Sequence, residues 1–137
     1  MSSKTIILDT NLWISFLISK KYSQIDDLIN ARKILLIFSS ELLEEFITVA
    51  RRPKFEKYFS KTDIDEILRL LEFHGKLVEI NSKTSVCRDS KDNFLLNLAL
   101  DSQADYLLTG DEDLLVLKNI KRTRICAWGD FVDDLRK

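Results

Sequence analysis

Little in this chain can break it or staple it. Three glycines and one proline in 137 residues leave scant material for linkers, low-complexity tails or the many tight turns of an all-β fold. The two cysteines, Cys87 and Cys126, form neither a disulfide framework nor a C-x-x-C metal or redox motif, and read as small buried hydrophobes. With one histidine, His74, a multi-histidine zinc site is excluded, and nothing resembles H-E-x-x-H. A Ser-His-Asp triad would have to run through His74, which sits late in an amphipathic segment just before Gly75 and reads as a rim or capping residue. The longest apolar runs, residues 6–8 and 34–38, are far too short to cross a bilayer. No basic segment leads into an apolar stretch with a small-residue cleavage site. The expectation is a cytoplasmic protein with no membrane association, in which any catalysis rests on carboxylates.

Apolar residues make up 45 % of the chain and charged residues 31 %, with a net charge of −1. This is ordinary globular composition, and the length suits one core, hence a single domain over residues 1–137. Residues 4–9 and 33–38 are apolar bursts of the kind that form buried parallel strands. Residues 77–80, 105–109 and 124–128 are shorter strand candidates. Helices are expected over residues 11–20, 23–32, 41–51, 62–74, 91–102, 112–117 and 130–135. Ser23 and Ser90 are candidate N-caps, Ser39 and Ser40 punctuate a start, Pro53 forces a stop, and Gly75 closes the fourth helix. Alternating strands and helices indicate a three-layer α/β/α sandwich around a mainly parallel sheet of four to five strands. The 24 residues between Asp9 and Ile34 suit a right-handed crossover.

Open parallel sheets bind ligands at the carboxyl ends of their strands, and acids fall there. Asp9 ends the first strand, and Asp111 follows the third strong one after Thr109 and Gly110. Glu44 and Glu45 lie on the helix leaving the second strand, and Asp92 opens a later helix. Crowded carboxylates repel, raise one another's pKa and are costly without a cation. Oxygen-only ligands suit Mg²⁺ or Mn²⁺. Spacing alone leaves two alternatives open, a divalent-metal site and scattered surface acids, because a chain with 22 acids places some at strand ends by chance.

At these same residues the chain resembles a PIN domain, the nuclease fold of bacterial and archaeal toxin–antitoxin ribonucleases. Four motifs carry the resemblance in order: I-I-L-D-T-N-L-W-I-S (residues 6–15), S-S-E-L-L-E-E-F-I-T-V-A-R-R-P-K-F (39–55), R-D-S-K-D-N-F-L-L-N-L-A (88–99) and D-Y-L-L-T-G-D-E-D-L-L (105–115). The resemblance implies that Asp9 is the central metal-binding acid, with Asn11 as its polar neighbour. Glu45 would be the helix acid, with Glu44 as the register alternative, and Asp92 the third. Asp111 would be the fourth, with Asp113 as an additional or substituting ligand. Thr109 matches a supporting hydroxyl, and Asp89 a recurrent acid of the supporting loop. Phe46 stands where leucine is commoner, and Ala127-Trp128-Gly129 replaces a commoner proline-containing turn.

What the resemblance implies chemically is hydrolysis of RNA phosphodiesters to 5′-phosphates with one or two Mg²⁺ or Mn²⁺ ions. Bound divalent ions acidify water and let carboxylates face an anionic substrate. It also implies the toxin role in a toxin–antitoxin pair, hence a small antitoxin partner, and a homodimer. Setting aside the five candidate site acids leaves 17 acids against 21 bases, so the remaining surface suits nucleic acid. Arg88 and Lys91 flank Asp92 and are candidate phosphate contacts. Further bases cluster at Arg51, Arg52, Lys54 and Lys57, and at Lys118, Lys121, Arg122 and Arg124, where a solvated face is the simpler expectation. Trp13, Phe16 and Phe55 are candidates for base stacking, for core or for an interface; Trp13 and Phe16 look exposed after the first strand. A response-regulator receiver would want an acidic pair near its first strand, and a D-x-D phosphatase an aspartate at position 11, where Asn11 stands. The rival of a different class is a PIN-like module that binds RNA or protein without cutting.

Overall fold

The structure, a computed structural model, describes residues 3–21, 23–85 and 92–136. Its strands are β1 (Lys4–Leu8), β2 (Ile34–Phe38), β3 (Gly75–Leu77), β4 (Tyr106–Leu108), β5 (Asn119–Ile120) and β6 (Thr123–Cys126). They form one sheet in the order β3-β2-β1-β4-β6-β5. Every pairing is parallel except β5 with β6. The helices flanking it are α1 (Thr10–Ser19), α2 (Ser23–Asn30), α3 (Ser40–Ala50), α4 (Lys61–His74), α5 (Asn93–Ser102), α6 (Glu112–Leu115) and α7 (Trp128–Leu135), with a 3₁₀ turn at Pro53–Phe55. This is the expected α/β architecture with a mostly parallel central sheet, at six strands rather than four or five.

The central position of β1 follows from its residues. Ile6, Ile7 and Leu8 are all fully buried, as a parallel strand covered on both faces requires. Each such side chain contributes about 1.5–3 kcal/mol on leaving water. The α5 helix, apolar nearly all round, buries Leu95, Leu96, Leu98 and Ala99. At the start of α4, Ser60 and Asp63 form a reciprocal capping box, which satisfies two otherwise orphaned amides.

Three expectations need correction. The third strand begins at Gly75, not residue 77; Gly75 closes α4 as expected, and does so in extended geometry that leads straight into the strand. Its lack of a side chain is steric: a Cβ there would stand 2.6 Å from the Leu71 carbonyl oxygen and 2.8 Å from Phe38 Cε1. The hairpin strand β5 was not anticipated, because two residues carry no periodicity; the last strand accordingly starts at Thr123 and yields to α7 at Trp128. Trp13 and Phe16 are buried, not exposed. Trp13 tilts against Phe46 at 6.4 Å between ring centroids, and Phe16 meets Trp128 edge-on at 5.0 Å. Both rings therefore weld α1 to its neighbours and are withdrawn from any interface.

Candidate functional site

The register of β1 and β4 places Leu8 opposite Leu108, so the residues that follow, Asp9 and Thr109, leave the sheet side by side at its carboxyl edge. The ladder continues into them: Asp9 N donates to Leu108 O, and Thr109 N to Cys126 O, each at 3.0 Å. Both side chains are buried. Thr109 Oγ1 donates to Asp9 Oδ2 at 2.6 Å and accepts from Asp111 N at 3.0 Å. The Asn11 amide donates to Asp9 Oδ1 at 3.1 Å, making Asp9 the N-cap of α1. Asp111 repeats the device as N-cap of α6, its Oδ1 accepting from Asp113 N at 2.9 Å. One threonine hydroxyl thus ties together two acids a hundred residues apart.

Burial pushes the Asp9 carboxyl above its ordinary value; the Thr109 hydroxyl and the Asn11 amide pull it back, and the negative charge of Asp111 pushes it up again. This differs from the acids that serve the fold. Asp63 pairs with Lys20, Asp105 with Arg122, and Asp134 with Arg124. Among the described residues no lysine or arginine pairs with Asp9 or Asp111. A buried carboxylate with a second carboxylate near it and no base has the character of a hard-cation ligand.

The other anticipated residues fall as follows. Glu45 is half-buried on α3, next to the fully buried Phe46, while Glu44 is exposed. Asp92 is half-buried and immediately precedes α5. Asp113 is half-buried in the first turn of α6, and Asn11 contributes its amide while its side chain is exposed. Arg88, Asp89 and Lys91, with Cys87 and Ser90, lie outside the described residues. Among the described residues, no three His, Cys, Asp or Glu side chains converge as they stand to hold a metal ion. The fit to a divalent cation is therefore that of the Asp9–Asp111 pair: oxygen donors, ordered and without a base. Sequence reasoning passed over Thr10, whose buried hydroxyl, next to Asp9, has no hydrogen-bond partner among the described residues; a β-branched threonine in D-T-N gave no distinguishing signal. Cys126 is buried, which pushes its thiol up to about 11, in keeping with a packing role.

A mostly parallel sheet carrying an ordered acid pair at its carboxyl edge defines an α/β protein built to bind at that edge. The family model described as PIN domain matches residues 5–113, a span that holds all the candidate acids. The chain is also 34 % identical over 117 residues to an uncharacterized protein of Methanocaldococcus jannaschii, covering 83 % of this chain and 75 % of that one. The chain belongs to the PIN-domain family. PIN domains are in general nucleases, so the family is one of hydrolases acting on nucleic acids. The fold is similar to that of VapBC2 from Rickettsia felis, solved bound to a DNA fragment from its promoter: TM-score 0.56, 17 % identity, 88 % of this chain and 96 % of that one. Among the described residues no helix is long and apolar enough to cross a membrane.

Proposed function

We propose that this protein is a metal-dependent endoribonuclease, and the toxin of a toxin–antitoxin pair. The observation that carries the proposal is the Asp9–Thr109–Asp111 arrangement at the carboxyl edge of β1 and β4: a buried, oriented carboxylate beside a second acid, with no lysine or arginine paired to either among the described residues. Asp9, Glu45, Asp92 and Asp111, with Asp113, would hold one or two Mg²⁺ or Mn²⁺ ions. Such an ion, when bound, supplies positive charge toward the phosphodiester and acidifies water. The chain's own part is positioning. Thr109 orients the Asp9 carboxylate and favours its charged form, and the Asn11 amide holds its other oxygen. The packing of Phe46 against Trp13 sets α3, and so Glu45, relative to α1. Arg88 and Lys91 are proposed phosphate contacts, and Asp89 a supporting loop acid. No residue here has the character of a covalent nucleophile, so direct attack by water is the proposed route.

The toxin role and an antitoxin partner are supported by the resemblance of the motifs and by the fold shared with VapBC2, an assembly that holds promoter DNA; a homodimer is proposed on the resemblance of the motifs alone. The alternative, a non-catalytic PIN-like binding module, is not favoured by membership of a family of nucleases. Cleavage of a labelled single-stranded RNA in Mn²⁺, with chelator and Asp9→Asn as paired controls, decides between them. The protein must be free of any co-expressed partner. Cutting that both controls abolish is expected; absence of both cutting and metal binding would refute the proposal.

A further inference from the structure

The connection between α3 and α4 presents a strongly basic exposed surface, and the site above does not use it. Residues 51–61 read R-R-P-K-F-E-K-Y-F-S-K, five bases and one acid. Arg51, Arg52, Lys54 and Lys57 are all exposed, and among the described residues none of them has a carboxylate partner. The lysines are instead drawn over aromatic faces: Lys54 Nζ lies 5.1 Å from the Phe55 ring centroid and Lys57 Nζ 5.2 Å from that of Tyr58. Phe55 stacks on the buried Phe59 at 5.6 Å, which anchors the turn, while Tyr58 remains 44 % exposed. Tyr58 thus keeps much of its ring in solvent, with Lys57 over one face, beside cations that have no carboxylate partner among the described residues.

Topology puts this surface on the same side of the sheet as the acids. The α4 helix ends at His74 and β3 begins at Gly75, so α4 finishes at the amino edge. Its 14 residues extend about 21 Å back along β2 and β3, whereas the three residues of β3 span only about 10 Å. The start of α4, and the connection before it, therefore lie at or beyond the carboxyl edge. Lys20, which closes α1, pairs with Asp63 in the first turn of α4 at 2.9 Å. From Asp9 to that ion pair is the length of α1, about 15 Å.

We propose that residues 51–58 are a subsite for single-stranded RNA flanking the scissile bond, with phosphates on Arg51, Arg52, Lys54 and Lys57 and a base on Tyr58. This rests on the ribonuclease reading and adds to it where the substrate's flank is held. Cations that track a backbone, interleaved with an exposed ring, are the general requirement of single-strand binding. An acidic protein segment would satisfy the charges and leave Tyr58 without a role.

The test is fluorescence anisotropy of a labelled oligoribonucleotide with the Asp9→Asn protein, titrated over a range of salt. Replacing Arg52, Lys54 and Lys57 together with alanine is expected to lower the slope of log affinity against log salt by about 2, at about 0.7 per phosphate lost on a single strand. Tyr58→Ser is expected to weaken binding about tenfold with the salt slope unchanged. All four residues are exposed, and an unchanged melting temperature shows that the fold is intact. If the wild type cuts RNA and Asp9→Asn binds it, but the triple variant keeps both affinity and slope, the subsite is refuted and the ribonuclease reading stands. If the wild type neither cuts nor binds RNA, the ribonuclease reading falls and takes the subsite with it. If polyglutamate displaces the RNA and Tyr58→Ser has no effect, the surface is for an acidic protein segment and the proposal is overturned.

Discussion

Thr109 offers the sharpest probe of the site because its hydroxyl serves two groups at once and water cannot replace it. The residue is 1 % exposed, and Val fills nearly the same volume. Thr109→Val removes the 2.6 Å hydrogen bond to the Asp9 carboxylate and the 3.0 Å acceptor for the Asp111 amide. A hydrogen bond to a charged group contributes about 1.5–3 kcal/mol and a neutral one about 1, so the combined loss at neutral pH is about 2.5–4 kcal/mol. The pH dependence is the diagnostic part. Asp9 already titrates above 3.8 in the native state, chiefly through burial, and Thr109 holds it down; the substitution pushes it higher. A native state that binds a proton more readily than the unfolded chain loses stability as pH rises through the native pKa. The variant suffers this loss over a wider window, so its deficit should be full at pH 7 and should shrink to about 1 kcal/mol at a pH low enough to protonate Asp9 in both proteins. Urea unfolding followed by Trp13 and Trp128 fluorescence measures this, with Thr109→Ser as the control that keeps the hydroxyl. A deficit equal at both pH values, or equal in the Ser and Val variants, would show that the hydroxyl does not manage the charge of Asp9.

Asp9→Asn should abolish cleavage yet be at least as stable as wild type at neutral pH, since Asn caps a helix as well as Asp and removes a charge that burial and Asp111 disfavour; Asp9→Ala should lose the cap as well, about 1 kcal/mol, and equal melting temperatures for the two variants would contradict this. Saturating Mn²⁺ should raise the melting temperature through binding to the native state, by about 2.7 kcal/mol of stabilisation at a hundredfold excess over Kd, and not in Asp9→Asn. Phe46→Ala should cost about 3–5 kcal/mol in denaturant unfolding, because Phe46 is 1 % exposed and packs on Trp13. Cys126, with its thiol pushed up to about 11, should resist iodoacetamide at mildly alkaline pH in a Cys87→Ser protein until denaturant is added.

Which parts of this were legible before the structure follows from where the information lies. The strands β1 and β2 announce themselves because burial on both faces demands uninterrupted apolar runs, and Ile6–Ile7–Leu8 and Ile34–Leu35–Leu36–Ile37–Phe38 can serve in few other ways. The α4 helix is legible through its 3.6-residue spacing, whereas its Ser60 cap is seen only in the structure. Gly75 is legible as the end of α4, but its close approach to the Leu71 carbonyl and to Phe38, a neighbour 37 positions away, is not, since no local pattern reveals it. Trp13 and Phe16 mislead, since their burial is decided by α3 and α7. At the site, the acids can be chosen from strand ends, but the hydroxyl bridge from Thr109 to both Asp9 and Asp111 depends on the register of β1 with β4. Glu44 and Glu45 differ only by a helical rotation of about 100°, which becomes visible once Phe46 is seen to face α1.

The same geometry explains how the fold tolerates its acids when no cation is near. In a parallel sheet each strand delivers its chain to the carboxyl edge, where the next helix must begin, and a helix beginning leaves amides unsatisfied. Asp9 after β1, Ser39 after β2 and Asp111 after β4 each take up such an amide, from Asn11, Leu42 and Asp113. The edge is therefore a row of helix starts, whose aligned dipoles favour negative charge. An aspartate placed there is a cap whatever else it does. Capping offsets part of the repulsion between Asp9 and Asp111, and it orders both carboxylates before any ion arrives. The site can consequently be preorganised without being fully neutralised, and the residual cost, seen in the raised pKa of Asp9, is what a cation would relieve on binding.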